Sequence, residues 1–164
     1  MTLDTFRAGF TGNVLVPTSD GYDNARALWN GDIKRRPAVI AQCRTTDDVV
    51  SAIGFGREEG LEVAVRGGGH NFAGHGLCEG GLMIDLSPMR DVKVDPDARR
   101  ARCGGGTTWA ELDAATQVHG LATPGGGHQP HRSRWPHLGW GHRVADTEGG
   151  SQLRQPGVGP GRHG

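Results

Sequence analysis

Apolar positions along this chain change their spacing several times, and each change marks an element. A short helix is predicted over residues 21–30. An apolar run over residues 39–43 reads as a strand. Thr45 or Thr46 then offers an N-cap, with Asp47 and Asp48 in the first turn, where the helix dipole favours acids. That helix places Val49, Val50, Ile53 and Phe55 on one side and stops near Gly60. Residues 61–66 read as a buried strand, followed at once by three glycines. Residues 82–86 read as another strand. Residues 92–94 and 99–103 form a hairpin pair about Pro96 and Asp97. Thr107 or Thr108 starts a helix to about Val118, with Trp109, Leu112 and Ala115 inward. Strand, helix and strand, then a hairpin and a helix, predict an α+β fold with a small mixed β-sheet and flanking helices.

The composition changes near residue 126. Residues 127–164 hold five of the eight His, four of the nine Pro and nine of the 29 Gly, and lack Ile, Lys, Phe, Met, Tyr and Cys. Their few apolar residues follow neither a 3.6 nor a 2.0 period. Such a segment buries too little apolar surface to offset its ordering entropy, so it is expected to be disordered. The chain therefore divides into a helical lead-in over 1–36, a folded part over 37–126 and a tail over 127–164.

The stretch that carries chemistry is the end of the third predicted segment: Arg66, then Gly67, Gly68, Gly69, His70, Asn71 and, further on, Gly74. Successive backbone N–H groups without side chains can form a concave anion site, and glycine lets a backbone approach a pyrophosphate closely. Arg66 and the loop amides suit a phosphate ligand. The dinucleotide fingerprint G-x-G-x-x-G cannot be placed here, and no helical pattern opens after the loop. On spacing alone, a tight turn between strands explains the glycines equally well.

Arg66-Gly-Gly-Gly-His70-Asn71 with Gly74 resembles the flavin loop of the berberine-bridge-enzyme-like oxidases, which have the vanillyl-alcohol-oxidase or PCMH type of FAD-binding domain. Further segments agree in order: Pro37 to Cys43 with Thr45-Thr-Asp-Asp-Val-Val, Leu82-Met-Ile-Asp85-Leu-Ser87, Gly104-Gly-Gly-Thr-Thr-Trp109, and Gly120-Leu-Ala-Thr-Pro124-Gly125-Gly126. The resemblance covers residues 37–126 and implies a partial PCMH-type FAD-binding domain. It implies FAD as cofactor, bound by Arg66, Gly67, Gly68, Gly69, His70, Asn71, Gly74, Pro124, Gly125 and Gly126. It implies a covalent bond from His70 to the C8-methyl carbon of FAD; the plainer alternative is a histidine hydrogen-bonded beside a turn. Some relatives add a second bond through a Cys beyond Pro124, but no Cys follows Cys103 here. His75 reads as a loop-surface residue, Cys78 as a small buried thiol, and Trp109 and Cys103 as core.

The activity implied is oxidation of a small organic substrate by hydride transfer to the flavin. Relatives keep the substrate pocket and base in a later domain, and no catalytic base stands out in this sequence. The alternative is a non-catalytic flavin- or nucleotide-binding module, or a fragment without function.

At Gly126 the resemblance stops. The codons allowed for Gly127 to Arg132, read one base later, admit Val-Ile-Ser-His-Thr-Gly. Those for Arg132 to Ala145 admit an apolar run containing Leu-Gly-Gly-Gly, as relatives have here. A shifted reading frame near Gly126 explains the tail's composition. A metal role for His128, His131, His137 and His142 is disfavoured, since their spacings match no standard ligand pattern.

The remaining features narrow the partners. Net charge is zero, which points away from nucleic acid. No apolar run approaches the roughly 18 residues that span a bilayer. Residues 1–10 do not read as a signal peptide. Three scattered cysteines suggest neither a disulfide framework nor a zinc site. The expectation is a cytoplasmic protein with a small-molecule substrate.

Overall fold

The computed structural model describes residues 1–122. Its centre is a four-stranded sheet of β1 (Asn13–Leu15), β2 (Val39–Gln42), β3 (Val63–Arg66) and β4 (Leu82–Asp85), in the order β1-β2-β4-β3. β4 runs parallel to both β2 and β3, and β1 is antiparallel to β2. The apolar run that predicted β4 is buried at all four positions, as expected for a central parallel strand.

The register sorts the side chains into two cores. Val39, Ala41, Leu82 and Ile84 face one side with Phe6, Ala52 and Phe55; Ile40 and Met83 face the other with Tyr22, Ala25 and Leu77. Helices α1 (Leu3–Ala8) and α3 (Thr46–Glu58) cover the first face, and α2 (Tyr22–Arg26) the second. Phe6 stacks on Phe55 with ring centroids 4.5 Å apart. Each fully buried large side chain contributes about 1.5–3 kcal/mol.

Thr45 is the cap of α3, in a capping box with Asp48. The inward stripe of α3 is Asp48, Ala52, Phe55 and Gly56, so the expected apolar side was partly misplaced. Val49 packs against the core, but Val50 and Ile53 are exposed, at 63% and 44%. At 100° per residue, a stripe through 48, 52 and 55 turns 50 and 53 away. Gly56 is required on the stripe, because a Cβ there would lie 2.9 Å from Val63 Cγ2.

Residues 61–66 are not a fully buried strand. β3 begins at Val63, after Gly60 adopts φ +64 and the Leu61 N–H donates to the Gly56 carbonyl to finish the helix. β3 ends the sheet, so Val63 and Val65 are 39% and 45% exposed while Ala64 and Arg66 are buried. The lead-in contains more than its helix. α1 and β1 carry no clear period, and β1 joins the sheet. α2 is shorter than the predicted 21–30 and ends where Ala27 turns extended.

Beyond the sheet, β5 (Val92–Asp95) and β6 (Arg100–Cys103) form the expected antiparallel hairpin. α4 (Trp109–Gln117) is capped by Thr108, with Glu111 completing a capping box. Leu112 is buried as expected, whereas Trp109, Ala115 and Cys103 are half-buried. The tail, with its expected disorder, shifted frame and histidines, lies outside the described residues, as do Pro124, Gly125 and Gly126.

Candidate flavin site

β2, β3 and β4 are parallel, so their carboxyl ends share one edge of the sheet, where open α/β sheets place ligands. The glycine loop leaves β3 at that edge. Gly67, Gly68, Gly69 and His70 are half-buried, and Asn71 is exposed. Gly69 and Gly74 hold φ of +71 and +74, a region that costs other residues about 1–2 kcal/mol. The tight turn and the anion cradle are therefore compatible: the turn shapes the loop, and the loop offers its amides. Among the described residues, the Gly68 and Gly69 N–H groups have no protein acceptor, as suits a loop that receives an anionic group.

Neighbouring segments hold this loop from outside. The Trp29 N–H donates to the Gly69 carbonyl at 3.1 Å, and Asn30 Nδ2 donates to the Phe72 carbonyl at 3.0 Å. Arg35 Nη1 donates to the carbonyls of Gly74 and Leu77 at 3.1 and 3.0 Å. Asn71 folds the loop on itself: its carbonyl accepts from the Gly74 N–H and its Oδ1 from the His75 N–H, both at 3.1 Å. Gly74 packs so closely on Ile33 that a Cβ would lie 2.9 Å from it. His75 is exposed.

Arg66 does not act as the expected side-chain grip on phosphate. Its guanidinium is buried and turned inward. Nε and Nη2 donate to the two Asp85 oxygens at 3.2 and 2.9 Å, and Nη1 donates to the carbonyls of Ala25 and Ala27 at 2.5 and 3.0 Å. Four of its five N–H donors are thereby committed within the fold.

The second glycine turn meets the first. A Cβ on Gly67 would lie 2.7 Å from the Gly105 carbonyl oxygen, so the two loops pack backbone against backbone. The Gly106 N–H donates to the Met89 carbonyl at 2.8 Å, which fixes this turn on the segment after β4. Beside it, the Thr107 hydroxyl is fully buried with no hydrogen-bond partner among the described residues. A buried polar atom of this kind is suited to a group supplied from outside the described residues.

The cysteines are poor candidates for chemistry. Burial pushes the Cys43 thiol up to about 12, and burial also raises Cys78 and Cys103. All three stay protonated near neutral pH, and a thiol is a weak nucleophile.

Sequence reading missed Asp85, Trp29, Asn30 and Arg35 as supports of the loop. Only Asp85 carried a signal, as the single carboxylate inside an otherwise apolar strand.

The family model of the FAD binding domain matches residues 37–131. (R)-6-Hydroxynicotine oxidase of Paenarthrobacter nicotinovorans is 36% identical over 117 residues, which cover 71% of this chain and 26% of that protein. The crystal structure of 6-hydroxy-D-nicotine oxidase from Arthrobacter nicotinovorans superposes with a TM-score of 0.69 at 35% identity, covering 72% of this chain and 26% of that one. Glucooligosaccharide oxidase from Acremonium strictum, which holds a 6-S-cysteinyl, 8α-N1-histidyl FAD, superposes with a TM-score of 0.64 at 28% identity over 71% of this chain and 25% of that one. The chain thus spans about a quarter of the length of these relatives. A glycine loop at the carboxyl edge of a parallel sheet, its neighbouring glycine turn and the match over residues 37–131 together show that the chain belongs to the FAD-binding domain family of FAD-linked oxidoreductases.

Proposed function

We propose that this chain is the FAD-holding part of a cytoplasmic oxidoreductase that oxidises a small organic substrate, with the flavin attached covalently through His70. The observation that carries the reading is the loop over residues 67–74. The Gly68 and Gly69 amides, without an acceptor among the described residues, two positive-φ glycines and a half-buried histidine lie in one continuous turn at the ligand edge of the sheet. When bound, FAD supplies a two-electron acceptor for a hydride leaving a substrate carbon. The amides of Gly68 and Gly69 would donate to its pyrophosphate. A neutral His70 imidazole has a nucleophilic ring nitrogen, which would hold the C8-methyl carbon. The 8α-histidyl link of the glucooligosaccharide oxidase supports this assignment. No Cys follows Cys103 in this sequence, so a cysteinyl link is not part of the proposal. Pro124, Gly125 and Gly126 complete the proposed contacts.

Acid precipitation of the purified full chain tests the attachment. The pellet is expected to stay yellow, and His70→Ala is expected to release all colour to the supernatant. A colourless wild-type pellet would sink the covalent link. In the alternative reading the polypeptide binds flavin but turns nothing over. Oxygen uptake with sugar and alcohol panels separates the two: a yellow protein without turnover supports the second reading.

A further inference from the structure

We infer that Asp85 is a positioning residue for the flavin loop, acting through Arg66 to lock the loop's root against the C-terminal end of α2. The inference rests on the flavin reading only for the identity of the ligand.

Asp85 ends the central strand and is completely buried. Its two oxygens accept four hydrogen bonds: Arg66 Nε and the Ser87 N–H at 3.2 and 3.0 Å on Oδ1, and Arg66 Nη2 and Gln42 Nε2 at 2.9 and 3.2 Å on Oδ2. One carboxylate thereby joins the ends of β2, β3 and β4. Its main partner extends the link outward. Arg66 carries Asp85's constraint to the carbonyls of Ala25 and Ala27, while the Trp29 N–H, two residues beyond Ala27, donates to the Gly69 carbonyl. The loop root is therefore held on both sides: by Arg66 within its own strand, and by the α2 exit that Arg66 fixes.

A purely apolar contact at this place would pack as well but would not fix direction. A bidentate guanidinium–carboxylate pair has a planar geometry that sets orientation as well as distance. Buried ion pairs are seldom retained for net stability, since apolar replacements often match them. The placement of this pair beneath the glycine loop, at the edge where three strands end, assigns it to orienting that loop.

The test compares wild type with Asp85→Asn and with the charge-free double variant Arg66→Met/Asp85→Asn, each as the full chain. The double variant avoids a stranded guanidinium, and its Asn oxygen can still accept from Ser87. Amide hydrogen exchange is read by mass spectrometry in residues 22–30 and 67–74, and in α3 as the core reference. FAD affinity is read by quenching of flavin fluorescence. In both variants, exchange in 22–30 and 67–74 is expected to rise about tenfold or more relative to α3. FAD affinity is expected to fall about tenfold or more, from loss of a preorganised loop. Wild-type exchange in the two segments of the double variant overturns the inference, as does wild-type FAD affinity with a loosened loop. Equal loss of protection everywhere also overturns it, because the pair is then a strut of the whole fold. If wild type itself binds no FAD, the flavin reading fails, and the exchange data still decide whether Asp85 orders the loop.

Discussion

Asp48 and Asp85 are both buried carboxylates, and they are satisfied in opposite ways. Asp48 accepts only from uncharged donors: the Thr11 N–H at 2.8 Å, Thr11 Oγ1 at 2.7 Å, and the N–H groups of Arg44 and Thr45 at 2.9 and 3.1 Å. Asp85 accepts from a guanidinium. Asp48 ties the segment before β1 to the start of α3, far in sequence from the glycine loop. Asp85 ties that loop to the sheet. The first carboxylate closes the fold and the second aims a site. A lone charge can be buried by donors that the backbone offers in any case, whereas aiming a loop calls for a second side chain with fixed geometry.

The sharpest way to break this comparison is to remove each carboxylate. Asp85→Ala leaves the Arg66 charge buried without its partner, which is expected to cost about 3–5 kcal/mol in urea unfolding. A cost within experimental error of zero would mean that water or another group already satisfies Arg66.

Asp48→Asn is expected to cost less, about 1.5–3 kcal/mol, because the donors it leaves are neutral. It should also change the acid limb. Hydrogen bonds from Thr11, Arg44 and Thr45 outweigh desolvation and hold the Asp48 carboxyl down to about 2. Its unfolded value is about 3.9. A carboxyl depressed on folding stabilises the protein fully above the unfolded value, and this is lost as pH falls through the folded one. The stability gap between wild type and Asp48→Asn is therefore expected to be constant above about pH 5 and to narrow between about pH 4 and 2. A gap that stays constant down to pH 2 would contradict the depressed value.

The two carboxylates also differ in how far local sequence disclosed them. Asp48 was visible as a first-turn acid three residues after Thr45, because capping is a local interaction. The Arg66–Asp85 pair spans 19 residues and depends on β3 and β4 lying side by side, and no period in the chain encodes that. By local sequence Arg66 suits a phosphate because it precedes the glycines, and pairing across the sheet turns it inward. β4 was legible as an apolar run because both its faces are buried. α1 and β1 were not, because Phe6 finds its partner in Phe55 only after the chain has folded back. The glycine loop itself was legible from composition. Its contact with Gly105 was not, because a backbone-to-backbone approach leaves only more glycine as its trace.

A smaller effect sharpens the division between fold and site. Gly60 and Gly69 have φ of +64 and +71. A Cβ at Gly60 would meet nothing within 4 Å, and at Gly69 it would meet Leu28 Cδ2 at 3.4 Å, Arg66 Cδ at 3.6 Å and Leu28 Cα at 3.8 Å, which is ordinary contact. Both substitutions to Ala thus carry mainly the left-handed backbone penalty, about 1–2 kcal/mol each, partly offset by a stiffer unfolded chain. Gly60→Ala is expected to lower the midpoint of thermal unfolding while leaving FAD affinity unchanged, because it ends α3 on the fold side. Gly69→Ala is expected to lower the midpoint by a similar amount and to weaken FAD binding as well, because relaxing its φ moves the amides that would face the pyrophosphate. Equal FAD affinity in the two variants would mean that the loop tolerates a shift at Gly69. The anion cradle would then have to be sought in Gly67 and Gly68, where Gly67 has its own reason to lack a side chain, in the carbonyl of Gly105.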